Sequence, residues 1–197
     1  MLLVFASRQS IITTMDKSWY RNIFSRASKP ALETTPPALD YADAESQFNL
    51  GVKFASGAGV NRDYVQAAEW YRKAAAQSHS LAQFNLGIMY AQGQGVAPDA
   101  VQSLMWLGKA ARQGDAGAQF NLADRCHRAS FEQVPVDASE SRIEAYMWYR
   151  LAAAQGFKNS DSVCATLSLN MTRADVAAGN ERVAAFESGK AHSAAGR

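Results

Sequence analysis

Gln47–Gly51 reads QFNLG, the same five letters return at Gln83–Gly87, and a near copy, QFNLA, follows at Gln119–Ala123. Both steps span 36 residues (83 − 47 and 119 − 83). Alignment on this word brings much else into register: GAGV at 57–60 falls on GQGV at 93–96, Asp63 on Asp99, Trp70 on Trp106, and AEWYRKAAAQS (68–78) on LMWLGKAARQG (104–114). A third unit ends in YMWYRLAAAQG at 146–156, but Trp148 lies 42 residues beyond Trp106 (148 − 106), so six residues are inserted where HRASFEQVPVDAS replaces the glycine loop. Self-similarity at one fixed period of this length marks a chain built from stacked copies of one supersecondary unit.

Within each unit the apolar and small residues recur at helical spacing. Ala44, Gln47, Leu50, Gly51 and Phe54 form one stripe, and Ala67, Trp70, Ala74 and Gln77 another, so each unit predicts two helices. Gly57 and Gly59, with Gly93 and Gly95, supply the permissive backbone that ends the first helix. Asp63 and Asp99 precede the second, where a carboxylate accepts from free N–H groups and meets the positive end of the dipole. Gly51 and Gly87 lie inside helices at a cost of about 1 kcal/mol each, which implies a close helix crossing beside the core leucines Leu50 and Leu86. A lone pair of this size cannot bury its apolar stripe, so the copies share one core. The expected fold is all-α, a right-handed α-solenoid of antiparallel helix pairs.

The pattern A-x-x-QFNLGxxxAxGxGV, then Asp, then A-x-x-W-x-x-x-AA-x-x-G, resembles the Sel-one-like repeat family, relatives of the tetratricopeptide repeats. The resemblance covers residues 42–156, divided as 41–77, 78–113 and 114–156; the third copy departs from it, with Ala123 for the first glycine and an irregular loop over 127–140. It implies an adaptor or scaffold that holds a protein or peptide on the concave face, and it implies no cofactor. Residues 157–188 no longer carry the word, and MTRADVAAGNERVAAF reads as a helix with Thr172 as N-cap and Asp175 three residues on. This stretch is expected to be a divergent capping helix pair that covers the open end of the stack. Residues 189–197, within SGKAHSAAGR, are expected to form a disordered tail.

At 197 residues and 48% hydrophobic, the chain has enough apolar material for one sizeable core. Twenty Lys and Arg stand against 18 Asp and Glu. Five of those cations and three of those acids fall in residues 1–40, so the repeated part is neutral at 15 of each. Such a balance disfavours nucleic acid and membrane surfaces as main partners. Residues 1–40 read as a disordered or weakly helical leader and linker, since SRASKPALETTPPALD (25–40) carries a double proline at Pro36 and Pro37. MLLVFA at 1–6 lacks a basic start and is interrupted by Arg8, so a signal peptide is poorly supported, and no run approaches the roughly 18 apolar residues of a membrane span. A cytoplasmic location is expected; export to an oxidising compartment such as the periplasm is the alternative if the start is misassigned, and Met15 is an alternative to Met1.

Two cysteines, Cys126 and Cys164, are too few for a disulfide framework and lack the paired spacing of a metal site. Cys126 beside His127 is not a nucleophile and its base, because adjacent helical residues point about 100° apart. Cys126 aligns instead with Phe54 and Tyr90, which are expected in the core, and a Cys126–Cys164 bond is the alternative only in an exported protein. His79, His127 and His192 have no ligand spacing. GAGV and GQGV follow no strand and carry no phosphate-loop Lys, so they are turn glycines. Trp70, Trp106 and Trp148 at one repeat position are expected as core packing rather than a stacking platform.

Function is expected on the face of the first helices opposite Leu50 and Phe54. That stripe carries Glu45, Asn49 and Lys53, then Leu81, Asn85 and Met89, then Gly117, Asn121 and Arg125. Asparagine is a poor helix former, and its amide matches the free N–H and C=O of an extended peptide. A residue making the same contact within every repeat recurs, whereas one that reads an irregular partner varies. Asn49, Asn85 and Asn121 are therefore structural or generic clamps, and Lys53, Met89 and Arg125 carry specificity. The reading is a non-enzymatic interaction module with no metal and no small-molecule cofactor. The alternatives are a hydrolase of the β-lactam-linked cysteine-rich branch, whose regular cysteine pairs this chain lacks, and a structural oligomerisation spacer.

Overall fold

The computed structural model describes residues 42–131 and 138–195, with side chains placed through Gly189, and these residues belong to one compact unit. The leader and linker expected over 1–40 lie outside the described residues, as do residues 132–137 of the irregular loop. Among the described residues there are eight helices: α1 (Ala44–Ser56), α2 (Tyr64–Ala76), α3 (Ser80–Gln92), α4 (Ala100–Gln113), α5 (Ala116–Ala129), α6 (Ala138–Ala154), α7 (Ser160–Ser168) and α8 (Arg173–Ala195). The principal packing is α1 on α2, α3 on α4 and α5 on α6, with α2–α3 and α4–α5 joining consecutive pairs. This is the expected α-solenoid of three helix pairs.

The helix ends are set by the residues that recur. Asp63 and Asp99 cap α2 and α4, each accepting two backbone N–H bonds at 2.8–3.0 Å. Asp43 and Asp115 cap α1 and α5, accepting from Ser46 N–H at 2.8 Å and Ala118 N–H at 2.7 Å. His79 takes this role for α3, accepting from Ala82 N–H through Nδ1 at 3.2 Å while Nε2 lies 3.0 Å from Glu45. Gly57 and Gly93 end α1 and α3 in the left-handed region at φ 75° and 68°, where their N–H groups close onto Lys53 O and Met89 O. The third pair has no glycine here; α5 ends at Ser130, whose φ is −65°.

The second glycine of the loop has a separate task. A Cβ at Gly95 would stand 2.1 Å from Tyr64 O of the preceding repeat, whereas at Gly59, in the first repeat, nothing lies within 4 Å. The loop of one repeat thus rests on the start of the second helix of the repeat before it. Helix crossings are equally tight. A Cβ on Gly51 would come 2.5 Å from the Tyr71 ring, and one on Gly87 would come 2.8 Å from Leu107 Cγ and 3.1 Å from Leu107 N. Alanines Ala67, Ala74, Ala75, Ala110, Ala111 and Ala152 line the inner faces of the second helices and are buried, which lets the axes approach.

Tyr71, Leu107 and Tyr149 hold one repeat position and are 2%, 5% and 1% exposed. They fill the place expected for the tryptophans, which sit one residue earlier, about 100° around the helix. Trp70 and Trp106 are consequently only half-buried, with Lys73 and Lys109 over their rings at 3.9 and 4.2 Å. Trp148 is buried because Phe186 of α8 meets it edge-on at 5.6 Å. Leu86 is fully buried as expected, while Leu50, in the first repeat, is half-buried.

The C-terminal end departs from the expected pair. α7 and α8 do not make a further pair packed mainly on each other; both lie chiefly against α6. α7 has only nine residues and lacks the leucine-glycine crossing. α8 crosses α6 through Gly179, where a Cβ would be 2.5 Å from the Tyr146 ring. Tyr146 Oη donates to Asn180 at 3.2 Å, Ser139 Oγ donates to Asp175 at 2.9 Å, and Arg182 forms two bonds with Glu140 at 2.7 and 2.9 Å. Thr172 and Asp175 form the expected reciprocal cap, each side chain accepting the other's N–H at 3.1 Å. The helix continues through Ala195, into residues expected as a disordered tail. Alanines at 191, 194 and 195 favour helix propagation from an established turn.

The crossing geometry separates two glycines of similar sequence context. Gly87→Ala sets a methyl against backbone that cannot yield, so it is expected to destabilise the fold by about 1–3 kcal/mol despite better helix propensity. Gly108→Ala meets only the tip of Arg112 at 3.5 Å and is expected to stabilise by up to about 1 kcal/mol. Urea denaturation of both variants checks the contrast; equal shifts would contradict the close crossing.

Candidate functional site

The candidate face begins on α1, where Glu45, Asn49 and Lys53 recur every fourth residue and are all exposed. Asn49 Nδ2 donates to Glu45 at 3.3 Å, so this asparagine is held by its own helix. On α5, Asn121 Nδ2 donates to Gly117 O at 2.8 Å, one turn back. Asn85 is half-buried on α3. Intrahelical bonds thus give two of the three asparagines a structural partner, and their recurrence is met locally.

Met89 is corrected by the structure. It was expected beside Lys53 and Arg125 on the open face, yet it is 4% exposed. α3 packs against both α2 and α4, so more of its circumference is covered than that of α1, and Ile88 and Met89 are both drawn inward. A thioether suits such an irregular gap. Gly117 is also buried, where a Cβ would stand 3.3 Å from the Phe84 ring. The open face therefore comprises Glu45, Asn49, Lys53, Leu81 and Arg125, with Asn85 and Asn121 at half-buried positions.

The polar feature buried most deeply in the repeat is a glutamine pair. Gln83 is 3% exposed; its Oε1 accepts from Gln113 Nε2 at 2.7 Å and its Nε2 donates to Ala75 O at 3.1 Å. Gln119 repeats this with Gln155 at 2.9 Å and Ala111 O at 3.2 Å. Gln47 accepts from Gln77 at 2.9 Å and reaches Ala42 O of its own entry turn at 3.4 Å. Each central clamp ties together both helices of its own repeat and the end of the helix before. The signal was present in the sequence, since Gln stands at both partner positions in every repeat.

Around Cys126 the chemistry is closed. Cys126 is half-buried, and burial together with the neighbouring Glu144 carboxylate pushes its thiol up to about 12. Like Cys126, the aligned Phe54 and Tyr90 are half-buried rather than fully in the core. His127 packs against Phe131 and Tyr149 at 5.2 and 6.3 Å between ring centres, and desolvation lowers its pKa. A thiol this hard to ionise is no nucleophile near neutral pH. Burial raises Cys164 to about 11, and both cysteines are free. Among the described residues no group of three His, Cys, Asp or Glu side chains could hold a metal ion, and no helix is long and apolar enough to cross a membrane.

Comparison with known proteins places this geometry. The family model described as Sel1 repeat matches residues 44–79, 80–115 and 116–157. Two solved structures are similar. One is a protective antigen present in uropathogenic Escherichia coli strains and displaying an SLR fold, with 37% identity over 57% of this chain and a TM-score of 0.51. The other is a Sel1 repeat protein from Oxalobacter formigenes, with 31% identity over 61% of this chain and a TM-score of 0.53. The alignments span 23% and 46% of those two chains, respectively. No curated protein matches the sequence.

The thiol environment makes a pH-dependent prediction. Iodoacetamide at pH 8 is expected to label both cysteines only after denaturation. Folded thiols hold their protons where unfolded ones release them near the ordinary 9.0. Their contribution to stability is therefore complete below pH 9 and is lost as pH rises towards 11–12. The urea midpoint is expected to fall between pH 8 and 10.5 less steeply in Cys126→Ala than in the wild type; parallel curves would contradict the assignment.

Proposed function

The chain belongs to the Sel1 repeat family, and from that premise we propose that it is a non-enzymatic adaptor holding a segment of a partner protein on the exposed face of its first helices. The fold is one typical of protein–protein interaction modules. The observation that carries the reading is the contrast between invariant and varied positions on one face. Asn49 and Asn121 are satisfied within their helices, while Lys53 and Arg125, at equivalent register but different identity around the buried Met89, are exposed. Side chains free to vary on a fixed scaffold are those that select a partner. Leu81, an exposed apolar residue on the same stripe of α3, supplies contact area at the other end of that face.

A face this small gives ordinary, micromolar-range binding rather than permanent assembly. The hydrolase alternative gains nothing from Cys126, whose thiol stays protonated. Lys53→Glu combined with Arg125→Glu is expected to reduce retention of co-purifying proteins at least about tenfold, by reversing two charges at the contact. Both sites are exposed, so the fold is expected to shift by no more than about 0.5 kcal/mol per site. Capture on the tagged full chain, quantified by mass spectrometry beside thermal unfolding, tests this. Unchanged retention, or loss of retention together with fold, would sink the proposal.

A further inference from the structure

Where α2 ends against α3 and α4, a cleft of about 470 Å³ opens beside the central glutamine clamp, lined by Ala75, Ser78, Gln83, Lys109, Arg112 and Gln113 among others. No carboxylate lines it. Among the described residues neither Lys109 nor Arg112 has an acidic partner within ion-pair distance, although three such pairs occur elsewhere. Lys109 instead rests on the Trp106 ring.

The residues around this cleft depart from the pattern at three positions, two in the second repeat and one at the end of the first. Arg112 stands where the other repeats have Ala76 and Ala154. Gly108 stands where they have Arg72 and Arg150, so the arginine has moved one turn along the helix. The Arg112 guanidinium lies back along the helix beside Gly108, its Nη1 atom 3.5 Å from where a Cβ on residue 108 would be, an ordinary contact distance. Ser78 stands where they have Gly114 and Gly156, and it holds their left-handed backbone at φ 64° without being a glycine. Adopting αL costs a serine roughly 1 kcal/mol relative to glycine, so its hydroxyl is placed at the cleft against the local preference.

We propose that this cleft is a subsite for a carboxylate, the acidic side chain of a peptide, gripped by the Arg112 guanidinium and Lys109 with the Gln113 amide and the Ser78 hydroxyl as further donors. A guanidinium fork matches the planar carboxylate, and lysine adds a point charge. The carbonyls that would repel an anion are already engaged. Ala74 O accepts from the N–H groups of Gln77 and His79, and Ala75 O from Ser78 N–H and Gln83 Nε2. The cleft adjoins the C-terminal ends of α2 and α4, whose negative dipole ends weigh twice as heavily on a dianion, and phosphate sites use helix N-termini instead. A carboxylate is therefore favoured over phosphate. The subsite lies where second helices end, away from the last turn of α1 that carries Lys53, and it stands independently of the adaptor face.

The test is a titration of the ¹⁵N-labelled full chain with an acetylated and amidated Gly-Glu-Glu-Gly peptide, its glutamine counterpart and inorganic phosphate. The glutamate peptide is expected to give saturable shifts of the Ser78 backbone amide and the Gln83 and Gln113 side-chain amides. Binding is expected to weaken at least about fivefold in Arg112→Ala and in Lys109→Gln, and to stay unchanged in Lys73→Gln, the equivalent lysine one repeat earlier. No saturable shift, equal shifts from the glutamine peptide, tighter binding of phosphate, or undiminished affinity in both cleft variants would each overturn the assignment. Spectra of the variants away from the cleft report whether the fold is intact, and because Arg112 and Lys109 are both exposed, either variant serves alone.

Discussion

One buried amide sets the spacing of this molecule. Gln83 is closed off from water, yet its oxygen is taken by Gln113 and its nitrogen by Ala75 of the preceding helix. An amide in that position is costly unless both ends find partners. They do so only when three helices stand at one mutual offset. Apolar packing alone tolerates sliding, because methyl groups have no direction; the clamp does not. Repeated at Gln119 with Gln155 and Ala111, it passes a fixed geometry along the stack. In the first repeat Gln47 turns to its own entry turn.

This scaffold was legible where one residue does one job. The aspartate caps, the turn glycines, the crossing at Gly51 and Gly87 and the Thr172–Asp175 box all follow from local chemistry written in a few letters. What escaped were choices made by tertiary packing. Tryptophan outranks tyrosine in size, so Trp70 reads as core, yet the inward direction belongs to Tyr71 and the tryptophan lies at the boundary under Lys73. Met89 reads as a variable groove residue, but a helix with neighbours on both sides covers more of itself. α8 reads as half of a terminal pair, whereas Gly179 and Phe186 set it on α6. The clamp was visible as paired glutamines 30 residues apart (77 − 47 and 113 − 83), but direction and depth had to come from the fold.

A rigid period makes departures informative. Where Asn121 closes onto its own helix, recurrence is structural. Where arginine moves from the place of Arg72 to that of Arg112 and serine replaces a left-handed glycine at 78, a polar cleft acquires a second cation beside the recurring lysine at 109. Lys53 and Arg125 are departures of the same kind at another edge. On the proposed reading, interaction chemistry is an overprint on a neutral, alanine-packed frame.

The direct test of the clamp is Gln83→Leu, which keeps volume and adds apolar surface. If the amide only fills space, leucine stabilises or leaves the unfolding free energy unchanged. The account predicts a loss of about 1–3 kcal/mol, from the two hydrogen bonds that a buried amide makes and leucine cannot, measured by urea denaturation. Stability equal to or above that of the wild type would contradict it.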